Sequence, residues 1–244
     1  MRTVCFVLLL FCSHLVAAQS GEEIISKMYS KYHGKWHKTL TFVQKTEFYK
    51  NDSLKGTQTW YEAIKYPNLF RIDLGSPDSG NTSLWRDGIA YRYKKHQMIS
   101  SRGDANELIF LLGGMYSYSL DSVKNMMKSF KFDLSKSYDS VWQGNKIYVV
   151  GSDSVGQEAD QFWVDKKRLV VVRLLQFTEG RKSDARFSGH VKKGNSWVES
   201  KVDFYINDKL VQKEFYQSIS TDVSLPDEFF HPALLFDKHW YKKD

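Results

Sequence analysis

The sequence predicts a mainly β, α+β protein built on one strongly curved antiparallel sheet, with an N-terminal helix and two central helices covering its concave face. Three observations predict this. Segments with apolar residues at every second position recur from Lys38 onward, which is the period of a half-buried strand. Turn signals such as Gly144-Asn145, Glu179-Gly180 and Asn207-Asp208 separate strand-length segments, and consecutive hairpins of this kind make a meander. Three stretches carry apolar residues at helical spacing. A sheet of so many strands must curl or close.

At the N-terminus, Arg2 precedes an apolar run from Val4 to Val16, followed by the small residues Ala17 and Ala18. This is the form of an export signal, with cleavage expected after Ala18. No later segment approaches the ~20 uncharged apolar residues that a membrane span needs. Lipid attachment at Cys12 is disfavoured because bulky Phe11 precedes it. Cys5 and Cys12 both fall inside residues 1–18. The expected mature chain, 19–244, then has no disulfide, thiolate nucleophile or Cys-ligated metal, and an aromatic-rich core must hold it. The full chain carries 35 Lys+Arg and 28 Asp+Glu; losing Arg2 leaves 34 against 28, a net +6. These charges are dispersed, and pairs such as Lys192-Lys193 sit at turns, so no nucleic-acid surface is expected. No repeat, Pro-rich linker or low-complexity tract divides residues 19–244, which read as a single domain.

The first helix is expected over Glu22–Tyr32, with Ile24, Ile25, Met28 and Tyr32 on one stripe and Gly34 near its end. Leu40, Phe42 and Phe48 then share one parity of a strand. Phe70, Ile72 and Leu74 form a second apolar row, and Ile89, Tyr91 and Tyr93 a third after the Asp87-Gly88 turn. Asp104 with Glu107 three residues on resembles a capping box, opening a helix with Leu108, Leu111, Leu112 and Met115 on one stripe. Gly113-Gly114 marks its frayed end. A further helix from Ser119 to Ser129 places Leu120, Val123, Met126 and Met127 on one face. In the meander, Val198, Val202, Phe204 and Ile206 alternate with Glu199, Lys201, Asp203 and Tyr205, predicting one core face and one wet face. Leu169–Leu175 is apolar almost throughout, so both faces of that strand should be covered.

The search for chemistry returns little. Neither G-x-S-x-G nor S-x-x-K occurs, nor a P-loop, nor G-x-G-x-x-G between strand and helix. His33 and His37 are four apart, but Gly34 lies between them and no Glu follows His33, so no metal site is expected. No carboxylate stands out as catalytic. Arg102-Gly103-Asp104 is read as the approach to a helix cap. Asn51 and Asn81 head glycosylation sequons that decide nothing about the fold.

The wording becomes specific at Trp60-Tyr61-Glu62-Ala63-Ile64-Lys65-Tyr66-Pro67-Asn68-Leu69-Phe70-Arg71-Ile72-Asp73-Leu74, continues at Asp87-Gly88-Ile89-Ala90-Tyr91-Arg92-Tyr93 and at Phe162-Trp163-Val164-Asp165, and closes at Leu225-Pro226-Asp227-Glu228-Phe229-Phe230. In order and character these segments resemble the LolA family of periplasmic lipoprotein carriers. The resemblance implies a half-open antiparallel barrel whose helices close a hydrophobic cavity for acyl chains. It also implies a periplasmic, monomeric protein without cofactors, loaded by an inner-membrane ABC transporter and unloaded to an outer-membrane acceptor. Where the family carries a basic residue directly before the proline, this chain has Tyr66, with Lys65 and Arg71 nearby.

The expected cargo is therefore a lipoprotein or other acylated lipid. On parity and helical stripe, Trp60, Phe70, Tyr91 and Tyr93 would line the cavity from strands. Leu111, Leu112, Met115 and Met126 would line it from helices, with Lys65, Tyr66 and Arg71 as a polar rim. The methionines would suit an adaptable lining, although ordinary core packing explains them equally. The rival reading is a non-catalytic envelope interaction or sensing module of the same fold whose cavity is filled by its own side chains.

Overall fold

A computed structural model describes residues 19–241; the expected export signal at 1–18 lies outside the described residues. The first helix, α1 (Gly21–Tyr32), is capped by Ser20, whose side chain accepts from the Glu23 amide while the Glu23 carboxylate accepts from the Ser20 amide. Two orphan donors of the first turn are thereby satisfied. Its stripe Ile24, Ile25, Met28 and Tyr32 is buried, as the spacing predicts.

Thirteen strands form one antiparallel sheet. The first half supplies β1 (Thr39–Lys50), β2 (Ser53–Lys65), β3 (Leu69–Leu74), β4 (Thr82–Arg86), β5 (Ile89–Lys94) and β6 (Gln97–Gly103). After helices α2 (Glu107–Leu111) and α3 (Leu120–Ser129) come β7 (Ser137–Trp142), β8 (Asn145–Val150), β9 (Gln161–Asp165), β10 (Val171–Thr178) and β11 (Arg181–Ser188). A small separate hairpin, β12 (Val191–Lys193) and β13 (Ser196–Val198), precedes β14 (Lys201–Ile206) and β15 (Lys209–Thr221). The sheet order is β6-β5-β4-β3-β2-β1-β15-β14-β11-β10-β9-β8-β7. The join between β1 and β15, with Leu40 opposite Thr221 and Phe48 opposite Gln212, welds the two meanders together. The edges β6 and β7 do not pair with each other, so the curved sheet stays open.

Helices α1 and α3, with the short α2 and a 3₁₀ turn at Gly114–Ser117, pack their apolar stripes on β8–β11 and form the main core. Nearly every residue from Val170 to Leu175 is buried, as an apolar run interrupted only by Arg173 requires. The opposite face of β2–β5 carries a second layer. The chain from Val223 to Tyr241 crosses it, packing Leu225, Phe230 and Leu235 against Ala63, Leu84 and Tyr93.

Local predictions failed in two places. The expected capping box at Asp104 is not the helix start: Asn106 caps α2 through the Ile109 amide, and Asp104 accepts from the Asn106 amide in a turn. The Val198–Ile206 strand is interrupted between β13 and β14, where the Ser200 amide donates to Ser188 O, although Val198, Val202 and Phe204 still share the cavity face. Glu199, expected in water, is buried.

Candidate functional site

The concave faces of β1–β4, β14 and β15, together with α2 and the loop before it, enclose a cavity of about 690 Å³. That falls inside the roughly 300–1,000 Å³ of small-molecule sites. One wall is apolar: Leu40 and Phe42 from β1, Ile64 from β2, Phe70 and Ile72 from β3, and Leu112 after α2. Alternation places them. On β2, Trp60, Glu62 and Ile64 face the cavity, while Tyr61, Ala63 and Lys65 face the C-terminal segment. The exposed residues Arg102 and Gly103 mark the open side.

Carboxyls from separate strands interrupt this apolar lining. Glu62 on β2, Glu199 after β13 and Glu214 on β15 all line the cavity and are all buried. Burial is the main cause that raises each pKa. The neighbouring charges of Glu214 and Glu199 push Glu62 well above the carboxylate range. Glu199 and Glu214 are each pushed up to about 7, the expected response of a carboxyl denied water and set beside its like. Glu214 accepts from Gln212 Nε2 at 2.6 Å and from the Tyr216 hydroxyl at 3.2 Å. The Glu62 carboxyl makes no hydrogen bond among the described residues. Towards the open side, burial and the charges of Asp160 and Asp104 likewise raise Glu107 to about 7, and it accepts from Gln176 Nε2.

His37 completes the polar part. Its ring is 4% exposed and lines the same cavity, with Nδ1 2.6 Å from Ser196 Oγ. Because the Ser196 hydroxyl donates to Lys193 O at 2.8 Å, the hydrogen-bond network assigns the proton to Nδ1. Among the described residues the Nε2 lone pair is left buried without a partner. Burial also lowers the His37 pKa to about 4, so the ring is neutral.

Of the residues expected to line the cavity, Trp60, Phe70 and Leu112 do so, and Tyr66 joins them, its hydroxyl directed at Leu112 O at 3.4 Å. Leu111 and Met115 are instead core residues beneath the helices, with Met126 packed against them. The chain turns sharply at Gly113 after α2, so a single stripe from Leu108 to Met115 does not persist. Tyr91 and Tyr93 sit on the opposite face of the sheet, clustered with Leu225, Phe230 and Phe236. Phe70 pairs with Trp85, and Trp85 with Ala90, so the tyrosine parity of β5 points away from Phe70.

The polar rim divides in the same way. Lys65 binds Asp227 at 2.5 Å and Leu225 O at 3.2 Å. Arg71 is fully buried under the C-terminal segment. The glutamates were missed because no motif marks them. A signal existed in Glu62, which shares the parity of Trp60 and Ile64 and so stands as an acid in an apolar row.

No protein-family model matches the chain, and no curated protein matches it. Solved structures do resemble it. A DUF1329 family protein from Desulfovibrio piger aligns with a TM-score of 0.61 at 16% identity, over 88% of this chain and 97% of that one. A domain described as an outer membrane lipoprotein-sorting protein, from Vibrio parahaemolyticus, gives 0.59 at 12% identity, over 88% and 98%. A LolA superfamily protein from Nitrosomonas europaea gives 0.58 at 12%, over 88% and 98%. The chain therefore has the LolA-like fold, an open, curved antiparallel sheet with helices on its concave side. Among the described residues no helix is long and apolar enough to cross a membrane.

Proposed function

We propose that the protein is a non-catalytic periplasmic carrier or binder of acylated lipid cargo, of the lipoprotein-sorting kind, holding hydrocarbon in the cavity of its curved sheet. One observation carries this reading: a LolA-like fold keeps about 690 Å³ of space between its sheet and helices, walled by Leu40, Phe42, Ile64, Phe70 and Leu112. The rival reading, an interaction module with a filled interior, has no use for that volume. Burying an acyl chain releases about 0.8 kcal/mol per methylene, so a twelve-carbon tail gains on the order of 10 kcal/mol, less the cost of immobilising it. Extraction from a bilayer forfeits a comparable amount. The chain carries no nucleotide motif, so loading would fall to an energised donor, an inner-membrane transporter in this reading, and release to an outer-membrane acceptor.

The test is stoichiometric uptake of an apolar fluorophore by the folded protein, together with native mass spectrometry of material from its own host. Uptake near one per chain, lost in Leu112→Asp, supports the reading. A folded protein that takes up neither fluorophore nor lipid refutes it.

A further inference from the structure

The cavity wall carries a charge pattern that plain hydrocarbon binding does not explain. Among the described residues five carboxyls line it (Glu62, Glu199, Glu214, Glu107 and Asp104), against a single cation, Arg102. That cation is exposed and lies 3.7 Å from Asp104, its side chain mostly in water. An anionic head, whether phosphate or fatty carboxylate, would find no cation in this wall, among the described residues, but the exposed Arg102. Buried ionisable groups without partners are rare in folded proteins and call for a specific cause. Here the Glu62 carboxyl makes no hydrogen bond among the described residues, and Glu199 is met by its own backbone amide.

His37 is a second, independent observation, because it reaches the cavity from the loop between α1 and β1 rather than from the acidic strands. It is 4% exposed, and its Nε2 is buried with no partner among the described residues. A buried imidazole acceptor together with the unpartnered Glu62 carboxyl calls for a ligand rich in N–H donors. Among the described residues no three His, Cys, Asp or Glu converge to hold a metal ion, so the groups are dispersed in the manner of an organic head. Aromatic faces flank them: Phe42 and Tyr216 stack at 4.0 Å between Glu62 and Glu214 along the strands, and Trp60 and Trp85 also line the space. Such faces attract an organic cation as well.

We propose that the cargo is an amphiphile with an ammonium head, seated among Glu62, Glu199 and Glu214 beside the His37 ring, its hydrocarbon lying along Leu40, Ile64 and Phe70. This rests on the reading of the cavity as a hydrocarbon site and names the polar end of what fills it. A cation there returns the carboxyls to their ionised form and satisfies their lone pairs. Charge-assisted hydrogen bonds of this kind are the strong ones.

The experiment compares three twelve-carbon probes that differ only in the head, dodecylammonium, dodecanol and dodecanoate. Each is offered to the full mature chain at one pH, below its aggregation concentration, with binding followed by calorimetry and by displacement of an apolar fluorophore. Dodecylammonium should bind about 100-fold more tightly than dodecanoate, the equivalent of two net charge-assisted hydrogen bonds. Glu62→Gln and Glu214→Gln should each reduce that preference at least tenfold. Equal binding of all three heads, or tightest binding of dodecanoate, overturns the ammonium site and leaves the hydrocarbon carrier intact. Failure of every probe, fluorophore included, overturns both. The head series on the wild-type chain decides the matter even if a glutamine variant does not fold.

Discussion

Arg71→Met should release the C-terminal segment from the convex face while leaving the sheet folded. The guanidinium is 1% exposed. It donates to Phe229 O and Lys238 O at 3.0 Å each and to Leu235 O at 2.6 Å, and it pairs with Asp73 at 3.0 Å through both Nε and Nη2. Asp73 also accepts from Thr82 and Tyr241. Burial alone would raise its pKa, but the hydrogen bonds from His239 and Arg71 and the charge of Arg71 prevail and hold it below the usual value. Removing one partner of a buried ion pair costs about 3–5 kcal/mol.

Much of that loss can be avoided by a local change, because residues 222–241 form no strand of the sheet and can lift off, letting water reach Asp73 and the freed carbonyls. At about 4 kcal/mol the detached fraction rises about 1,000-fold, since 1.4 kcal/mol is a factor of ten. Limited proteolysis with mass mapping reads this directly: cleavage should accelerate by orders of magnitude and fall between 222 and 241. Adding Asp73→Asn removes the stranded charge and should recover part of the loss. Cleavage within twofold of wild type, or cuts spread over the strands, would refute the account of Arg71 as the clamp.

Three further outcomes are expected. Asp184, 1% exposed, accepts from Arg173 Nε and Nη2 at 2.7 Å and from Arg186 Nη2 at 2.7 Å; Asp184→Ala should lower stability by about 3–5 kcal/mol in urea unfolding, against less than about 0.5 for the exposed Asp121→Ala. Glu199 has its folded pKa raised from 4.5 to about 7, so the folded state binds the proton more tightly. Its contribution is full below pH 4.5 and is lost as pH rises through about 7, an amount on the order of 3 kcal/mol. Because His37 and His190, lowered to about 4 by burial, act in the opposite direction, the readout is the stability difference between wild type and Glu199→Gln, which should shift towards the variant between pH 4.5 and 7.5. A pH-independent difference would show that Glu199 is wet. Finally, Ile64→Ala should deepen the cavity wall and cost about 2–4 kcal/mol in stability, whereas Tyr91→Ala, on the other face, should leave fluorophore uptake unchanged.

Much of the fold was legible in the chain. The stripe Ile24, Ile25, Met28 and Tyr32 is a helix face because its spacing matches the helical turn, whatever surrounds it. The turns at Gly144, Gly180 and Asn207 are hairpins because their residues tolerate positive φ, and the run through Val170–Leu175 needed cover on both sides. The order of segments around Trp60, Asp87 and Leu225 pointed to the LolA-like fold. These features depend on neighbours along the chain, and so they can be read before the chain is folded.

The site depended on other distances. Period two says that Phe70 and Ile72 share a face, and that Tyr91 and Tyr93 do, but not that the two pairs face opposite ways. That is decided by the register of β3 on β4 and of β4 on β5. With the segment from Val223 to Tyr241 laid over the convex side, both faces of β2–β5 are apolar, and hydrophobicity no longer distinguishes cavity from core. Glu62, Glu199 and Glu214 are separated in sequence by up to about 150 residues and become neighbours only when β15 closes on β1. A carboxyl's charge, its pKa and its role are set by what surrounds it in space, and for these three the surroundings exist only in the folded sheet.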